Sequence, residues 1–208
     1  IWRIYEGHTG PLLRSFLTSL TITANDDSKT YDGMEYSGDN GITIGLDASP
    51  SYDGSSQGAV NAGSYDIIAN FDSNSSLANQ QGYDLIYVNG TLTIDPLASA
   101  TWTGLGGNNF WSTAGNWENH IVPTLHNVLA AYIPSNYTVV YDSSAVDTTL
   151  NDLTSSGSFQ MNGGNLTVNN SFSTDHYSQS GGFLNTGSFT ANQAELSGGY
   201  LFTGDLSA

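Results

Sequence analysis

The chain has 208 residues, enough for two modest domains, and it combines 24 glycines and 12 tyrosines with a charged fraction of only 11%. Its three cations are Arg3, Arg14 and Lys29, so residues 30–208 hold 16 of the 19 carboxylates and no lysine or arginine. This composition excludes a nucleic-acid-binding surface, which needs clustered cations, a disulfide framework, since cysteine is absent, and a spanning helix of roughly 20 apolar residues.

Residues 1–17 are predicted to be a lead-in strand and linker from a preceding region. Apolar residues alternate at Trp2 and Ile4, and the Gly10-Pro11 pair then interrupts the pattern. The chain starts with Ile1 rather than methionine, so we expect it to be a fragment of a longer protein.

Residues 18–95 are predicted to form a small β module. Alternating residues predict strands at Leu20–Ala24 and Ser64–Phe71, and Ser75–Gln81 could form one helical turn. The Asn89-Gly90 pair lies between two alternating runs, a pattern that predicts a tight hairpin. Pro96 lacks a backbone N–H and therefore marks the end of the module.

Residues 96–208 are predicted to form a β-solenoid with an N-terminal aromatic cap, the start of a longer repeat region. Gly-Gly pairs recur at 163/164, 181/182 and 198/199, with spacings of 18 and 17 residues. Aligned on these pairs, one column contains Leu166, Leu184 and Leu201, and a second contains Phe172, Phe189 and Leu206. Shared columns favour stacked coils over the alternative, a meander of short hairpins. The predicted fold class is thus all-β, a small β-rich module followed by a β-solenoid.

Several ordered motifs carry a family resemblance. KTYDG (Lys29–Gly33), EYSG (Glu35–Gly38), SSQGAVNAGSYDI (Ser55–Ile67) and YVNGTLTI (Tyr87–Ile94) resemble the YDG/MBG-type repeats of filamentous-haemagglutinin-like and other large bacterial surface adhesins. WTGLGGNNFWSTAGNW (Trp102–Trp117) is similar to the segment that starts many passenger-type β-helices. The resemblance implies secretion to the bacterial cell surface, a structural or adhesive role in cell adhesion or a biofilm, and no catalytic residues.

Three tryptophans, Trp102, Trp111 and Trp117, are the candidate ligand-binding residues. If exposed, their rings could stack on sugars, which would make the chain a carbohydrate-binding module. If buried, they would close the end of the solenoid. We favour the cap, because terminal repeats need one and exposed aromatic patches are unusual.

A β-helix glycan hydrolase is the enzymatic alternative. A hydrolase needs two carboxylates about 5–9.5 Å apart, and the available ones are Asp142, Asp147, Asp152, Asp175, Glu195 and Asp205. None of them recurs in one column of the repeat, and aspartate is common in turns. We therefore expect no enzymatic activity.

The sequence offers one group of candidate metal ligands, close to Lys29. Asp26, Asp27 and Asp32 surround Lys29 and are the candidate metal ligands, with Ca²⁺ the ion that oxygen ligands suit. They match no calcium-loop pattern, so we expect no cofactor and leave Ca²⁺ open. The expected partners are a host or neighbouring-cell surface, glycans, or further copies of the chain in a filament, without nucleic acid and without membrane insertion of this segment.

Overall fold

The computed structural model describes residues 1–4, 9–38, 50–71, 82–124 and 127–207. These residues are all-β, as the composition predicts: most lie in strands, and the helical segments are 3-10 turns of three residues each. No helix in this part of the chain is long and apolar enough to cross a membrane. The chain divides into two compact units, Ile1–Thr30 with Met34–Asp95, and Tyr31–Gly33 with Pro96–Ala208.

The first unit is built from short strands in mixed pairing. Its described strands are β1 (Trp2–Arg3), β2 (Leu12–Leu13), β3 (Thr18–Thr23), β4 (Asp27–Thr30), β5 (Pro50–Asp53), β6 (Gly63–Phe71), β7 (Tyr83–Val88) and β8 (Gly90–Asp95). β1 and β2 are antiparallel, β3 is parallel to β7, and a four-stranded sheet has the order β4-β8-β6-β5. β3 and β6 confirm two predicted strands with small shifts at their ends. The helical turn predicted at Ser75–Gln81 lies outside the described residues.

The hairpin predicted at Asn89-Gly90 is wrong. β7 pairs with β3, whereas β8 pairs with β4 and β6, so the two consecutive strands lie in different sheets. A Cβ atom on Gly90 would lie only 2.5 Å from the carbonyl oxygen of Asn25. Glycine is needed here because two backbones approach closely where the chain passes between sheets, and a close approach leaves the same sequence signal as a tight turn.

Both arginines of the chain contact one buried carboxylate in the first unit. The Nε atom of Arg14 donates to Asp84 Oδ2 at 2.7 Å, and its Nη2 atom donates to the same oxygen. Arg3 places Nε 3.7 Å from Asp84 Oδ1 and donates from Nη2 to the Leu85 carbonyl oxygen at 2.6 Å. These contacts fasten the N-terminal residues to β7.

The second unit contains one parallel sheet that curls. Its strands are β9 (Leu97–Thr101), β10 (Val128–Ile133), β11 (Thr138–Tyr141), β12 (Thr148–Leu196) and β13 (Tyr200–Ser207). All of their pairings with one another are parallel. Fully extended, the 49 residues of β12 would measure about 160 Å. The ring centroids of Phe172 and Phe189, both in β12, are nevertheless 5.3 Å apart, so the strand curls back alongside itself.

Successive repeats of the second unit lie side by side in the predicted register. We call each stretch of the second unit that lies beside the next a rung, and in the repeat a rung runs from one Gly-Gly pair to the next. Leu184 pairs with Leu201 and Phe189 pairs with Leu206, which confirms both predicted columns at these positions. Leu166 and Leu184 are fully buried and Leu201 is half-buried against the same core, whereas Leu206 is exposed.

The Gly-Gly pairs form the corners between these rungs. The second glycine of each pair, Gly164, Gly182 or Gly199, has a φ of 75°, 78° or 80°. A Cβ atom on Gly182 would also lie 2.8 Å from the carbonyl carbon and oxygen of Gly163 in the preceding rung. Glycine is therefore required both by the left-handed conformation and by the lack of space.

Aromatic rings fill the core of the second unit. The rings of Tyr141 and Phe159 are stacked with centroids 6.4 Å apart, and those of Phe159 and Tyr177 are stacked at the same separation. Burial raises the pKa of Tyr141 to about 12, and its hydroxyl donates to the Asn165 carbonyl oxygen at 2.6 Å. The phenol thus stays neutral at ordinary pH and links two neighbouring rungs.

Candidate functional surfaces

The three candidate tryptophans lie in the chain segment that connects β9 to β10, and their rings contact one another. The ring centroids of Trp102 and Trp117 are 5.1 Å apart, and those of Trp111 and Trp117 are 4.6 Å apart, both pairs edge to face. Trp111 Nε1 donates to the Pro123 carbonyl oxygen at 3.1 Å, and Trp117 Nε1 donates to the Trp111 carbonyl oxygen at 2.8 Å.

All three indoles are buried, with only 1% or 2% of each residue exposed. They pack into the same core as Tyr141 and Phe159. A sugar can stack only on an exposed ring face, so the binding surface assigned to Trp102, Trp111 and Trp117 in the carbohydrate-binding alternative is absent from this structure. The cluster is instead part of the buried core of the second unit.

Asn116 organises the loop that holds these tryptophans, and sequence reasoning missed it. Its buried side chain accepts a hydrogen bond from the Gly106 amide at 2.8 Å and donates to Asn108 Oδ1 and the Phe110 carbonyl oxygen, both at 3.1 Å. Its carbonyl oxygen accepts from the Thr103 amide at 2.7 Å. Asparagine is frequent throughout the chain, so composition could not single out this buried one.

Two of the three candidate metal ligands have local hydrogen-bonding roles. Asp26 Oδ1 accepts from the Thr91 amide at 2.8 Å, and Asp27 Oδ2 accepts from the Tyr36 hydroxyl at 2.7 Å. The charge of Asp32 adds to the effect of burial in raising the pKa of Tyr31. Among the described residues, no group of three or more histidine, aspartate or glutamate side chains is placed to hold a metal. The expectation of no cofactor, with Ca²⁺ left open, stays a prediction.

Side chains on the outside of the second unit are linked from rung to rung. Five hydrogen bonds of 2.8–3.3 Å join residues 17 or 18 positions apart. The pairs are Asn165 with Asp147, Asn169 with Asn151, Asn170 with Asp152, Ser180 with Asn162, and Asn192 with Asp175. We call this set the side-chain ladder. Three of the six carboxylates considered for a hydrolase are therefore partners of amides in neighbouring rungs.

The other carboxylates are dispersed. Asp142 Oδ1 accepts from the Ser144 amide at 2.8 Å in a local turn. Glu195 is the one carboxylate among the residues lining a groove of about 380 Å³ beside His176 and Tyr177. Asp175 is a lining residue of a different cavity. These cavities do not bring two carboxylates together in the way a glycosidase needs.

His176 and Asp175 form an exposed pair on the outer surface, with His176 Nδ1 2.8 Å from Asp175 Oδ2. The hydrogen bond from Asn192 lowers the pKa of Asp175 below its ordinary value; desolvation opposes this shift, and the neighbouring His176 lowers the pKa further. The aspartate thus remains a charged hydrogen-bond acceptor, which is its role in the side-chain ladder.

An outward-facing group of aromatic rings was not anticipated from the sequence. Phe183 is stacked on Phe202 with centroids 5.1 Å apart, and its centroid is 6.5 Å from that of Tyr200. The exposed fractions are 39% for Phe183, 68% for Tyr200 and 52% for Phe202. The Gly-Gly alignment contains the signal, because Phe183 and Tyr200 directly follow their glycine pairs and precede the inward-facing Leu184 and Leu201.

Comparison with known proteins identifies no relative: no family model, curated protein or solved structure matches the chain.

Proposed function

We propose that the chain is a non-catalytic structural and adhesive module of a large secreted bacterial surface protein. The first unit would be a YDG/MBG-type module, and the second a β-solenoid that presents its outer face at the cell surface. The motifs between Lys29 and Ile94 support the adhesin family by resemblance.

The single observation that supports the solenoid is the side-chain ladder. Its pairs join residues 17 or 18 positions apart on the outside, while the columns containing Leu184 and Phe189 keep the same spacing inside. A repeat that maintains both surfaces at one period behaves as a stack of coils, in which each coil is stabilised by its neighbours.

A scaffold role also agrees with the chemistry of the surface. The carboxylates of the side-chain ladder accept hydrogen bonds from asparagines, and the described cavities of the second unit bring no carboxylate pair together. The partners we propose are a host or neighbouring-cell surface, its glycans, or further copies of the chain. Self-association would use β13, which pairs with β12 on one edge.

Stretching the full chain between its two ends tests the scaffold. Each rung from Gly163 onward has 17 or 18 residues and should release about 60 Å when it detaches, so we expect regular steps of that length from this part of the second unit. The first unit, with its mixed sheets, is the internal control and should extend without this period. A single irregular rupture of the second unit would contradict the solenoid.

The adhesive and non-catalytic parts of the proposal have their own readouts. Beads coated with the full chain should attach to bacterial or host-cell surfaces more than beads coated with an unrelated acidic protein. Incubation with polysaccharides should release no oligosaccharides. Release of products would instead favour the hydrolase alternative.

A further inference from the structure

The rings of Phe183, Tyr200 and Phe202, together with the Asn185 side chain, share one outward surface of the second unit, which we call the aromatic face. Phe183 pairs with Tyr200, and Asn185 pairs with Phe202, in adjacent parallel strands about 4.8 Å apart. The alternate residues Leu184 and Leu201 point into the core. Strand alternation therefore fixes the four side chains of the aromatic face on the outside of the sheet.

One polar side chain, Asn185, lies beside these rings. Asn185 is exposed, and its amide has no hydrogen-bond partner among the described residues. The amide of Asn185 is thus available to donate to and accept from a ligand beside a flat apolar surface.

The negative charge of the second unit restricts which ligands can bind the aromatic face. From Pro96 onward the chain has seven carboxylates and no lysine or arginine, so its field repels acidic polymers. None of those carboxylates belongs to the aromatic face, so a cationic peptide would find no ion-pair partner among these four residues. The surface suits an uncharged ligand with apolar faces and hydroxyl groups.

The area of the aromatic face argues against a second protein as its occupant. An aromatic side chain offers roughly 150–250 Å², so the exposed parts of these three rings total about 300 Å². A stable protein interface needs about 800 Å² from each partner. A second copy would also bring the same net charge of −16 to the contact.

We infer that the aromatic face binds a glycan chain without acidic groups. The rings would stack on the C–H faces of consecutive sugars, and Asn185 would bond their hydroxyl groups. This inference rests on the proposed scaffold function and adds the chemical class of its partner. It assigns glycan contact to the outer rings in place of the buried tryptophans.

The test measures binding of the full chain to uncharged cello-, chito-, xylo- and manno-oligosaccharides, with polygalacturonate and alginate as acidic probes. We expect at least one uncharged series to bind, and the acidic probes not to bind. Tyr200→Ala should weaken binding at least tenfold, and Asn185→Ala should weaken it several-fold. Tyr132→Ala removes a matched exposed ring on β10 that has no described ring neighbour, and it should change binding less than twofold.

Thermal unfolding of each variant separates lost binding from lost folding. The inference is overturned if no uncharged oligosaccharide binds at millimolar concentration, if Tyr200→Ala binds like the parent chain, or if the acidic probes bind more tightly. A concentration-dependent dimer that Tyr200→Ala abolishes would assign the face to self-association and would also overturn it. If glycan binding fails while the 60 Å stretching steps persist, the scaffold stands without this partner.

Discussion

The two units bury their apolar residues by different means. The first unit depends on contacts that occur once, such as the two arginines on Asp84 and the close approach at Gly90. The second unit repeats one arrangement, with a glycine corner, an inward column and an outward hydrogen bond in each rung. Repetition makes register readable from the sequence, whereas contacts that occur once leave no pattern to detect.

Removal of a core ring should have the largest effect, and it should be confined to the second unit. Phe159 is fully buried among Tyr141, Phe172 and Tyr177. We expect Phe159→Ala to lower the free energy of unfolding of this unit by about 3–5 kcal/mol, since the cavity adds to the lost burial. Denaturant unfolding followed by tryptophan fluorescence measures it, because three of the four tryptophans lie in this unit. Tyr132→Ala, at an exposed site, should cost about 0.5 kcal/mol or less; equal losses would contradict the core assignment.

Two glycines with the same φ allow the cost of a left-handed residue to be measured apart from the cost of steric contact. Gly182 and Gly107 both have a φ of 78°, but a Cβ atom on Gly107 would meet nothing within 4 Å. Gly107→Ala should cost about 1–2 kcal/mol from the left-handed conformation alone. Gly182→Ala should cost a further 1–3 kcal/mol, because the new methyl group meets the main chain of the preceding rung. Equal costs would show that the rungs are not closely apposed at this corner.

Loss of a single charge should weaken the first unit and leave the second unchanged. Asp84→Asn removes the carboxylate that both arginines contact. Because the arginine side chains are 31% and 41% exposed, we discount the value for a buried pair and expect about 1–3 kcal/mol. Hydrogen exchange of the β3 and β7 amides reports this locally. Asp152→Asn is the control in the second unit, because this carboxylate has no lysine or arginine partner to lose. A similar loss of protection in both units would show that a single charge does not matter more in the first unit than in the second.

The smallest effect that we expect is the contribution of Asp175 to the pH dependence of stability. Its folded-state pKa is lowered from 3.8, so its contribution to stability is fully present above the unfolded-state value and is lost as the pH falls through the lower folded value. Thermal melts between pH 5 and pH 2 should therefore show a slightly smaller acid loss for Asp175→Asn than for the parent chain. Identical profiles would mean that the contacts of Asn192 and His176 do not favour the charged form.

Prediction from the sequence succeeded where one physical cause acts repeatedly. The glycine pairs marked corners because only glycine fits a left-handed residue beside another backbone, and the columns with Leu184 and Phe189 followed from that alignment. The spacing of earlier paired residues was not foreseen. It shortens from 31 positions (Leu97 to Val128) to 22 (Ala130 to Asp152) and 20 (Thr138 to Ser158) before reaching 17 or 18.

Prediction failed where a local signal has two physical causes. The Asn89-Gly90 pair was interpreted as a hairpin, but its glycine permits a close approach to Asn25 in another strand. The same limit applies to aromatic residues, which serve equally in a core and at a binding surface. Their three-dimensional neighbours were needed to distinguish buried Trp111 from exposed Tyr200.

The glycine corners also constrain how a protein of this kind can change in length. Inserting one residue directly after a corner would exchange the inward and outward side chains of the rest of that strand, which would expose Leu184 and bury Asn185. The one-residue difference between the 18- and 17-residue spacings falls instead between Leu166 and Phe172, and both of these residues are buried. Lineages that lengthen or shorten this repeat should therefore do so by duplicating or deleting complete turns, which preserves its cross-section and changes its length.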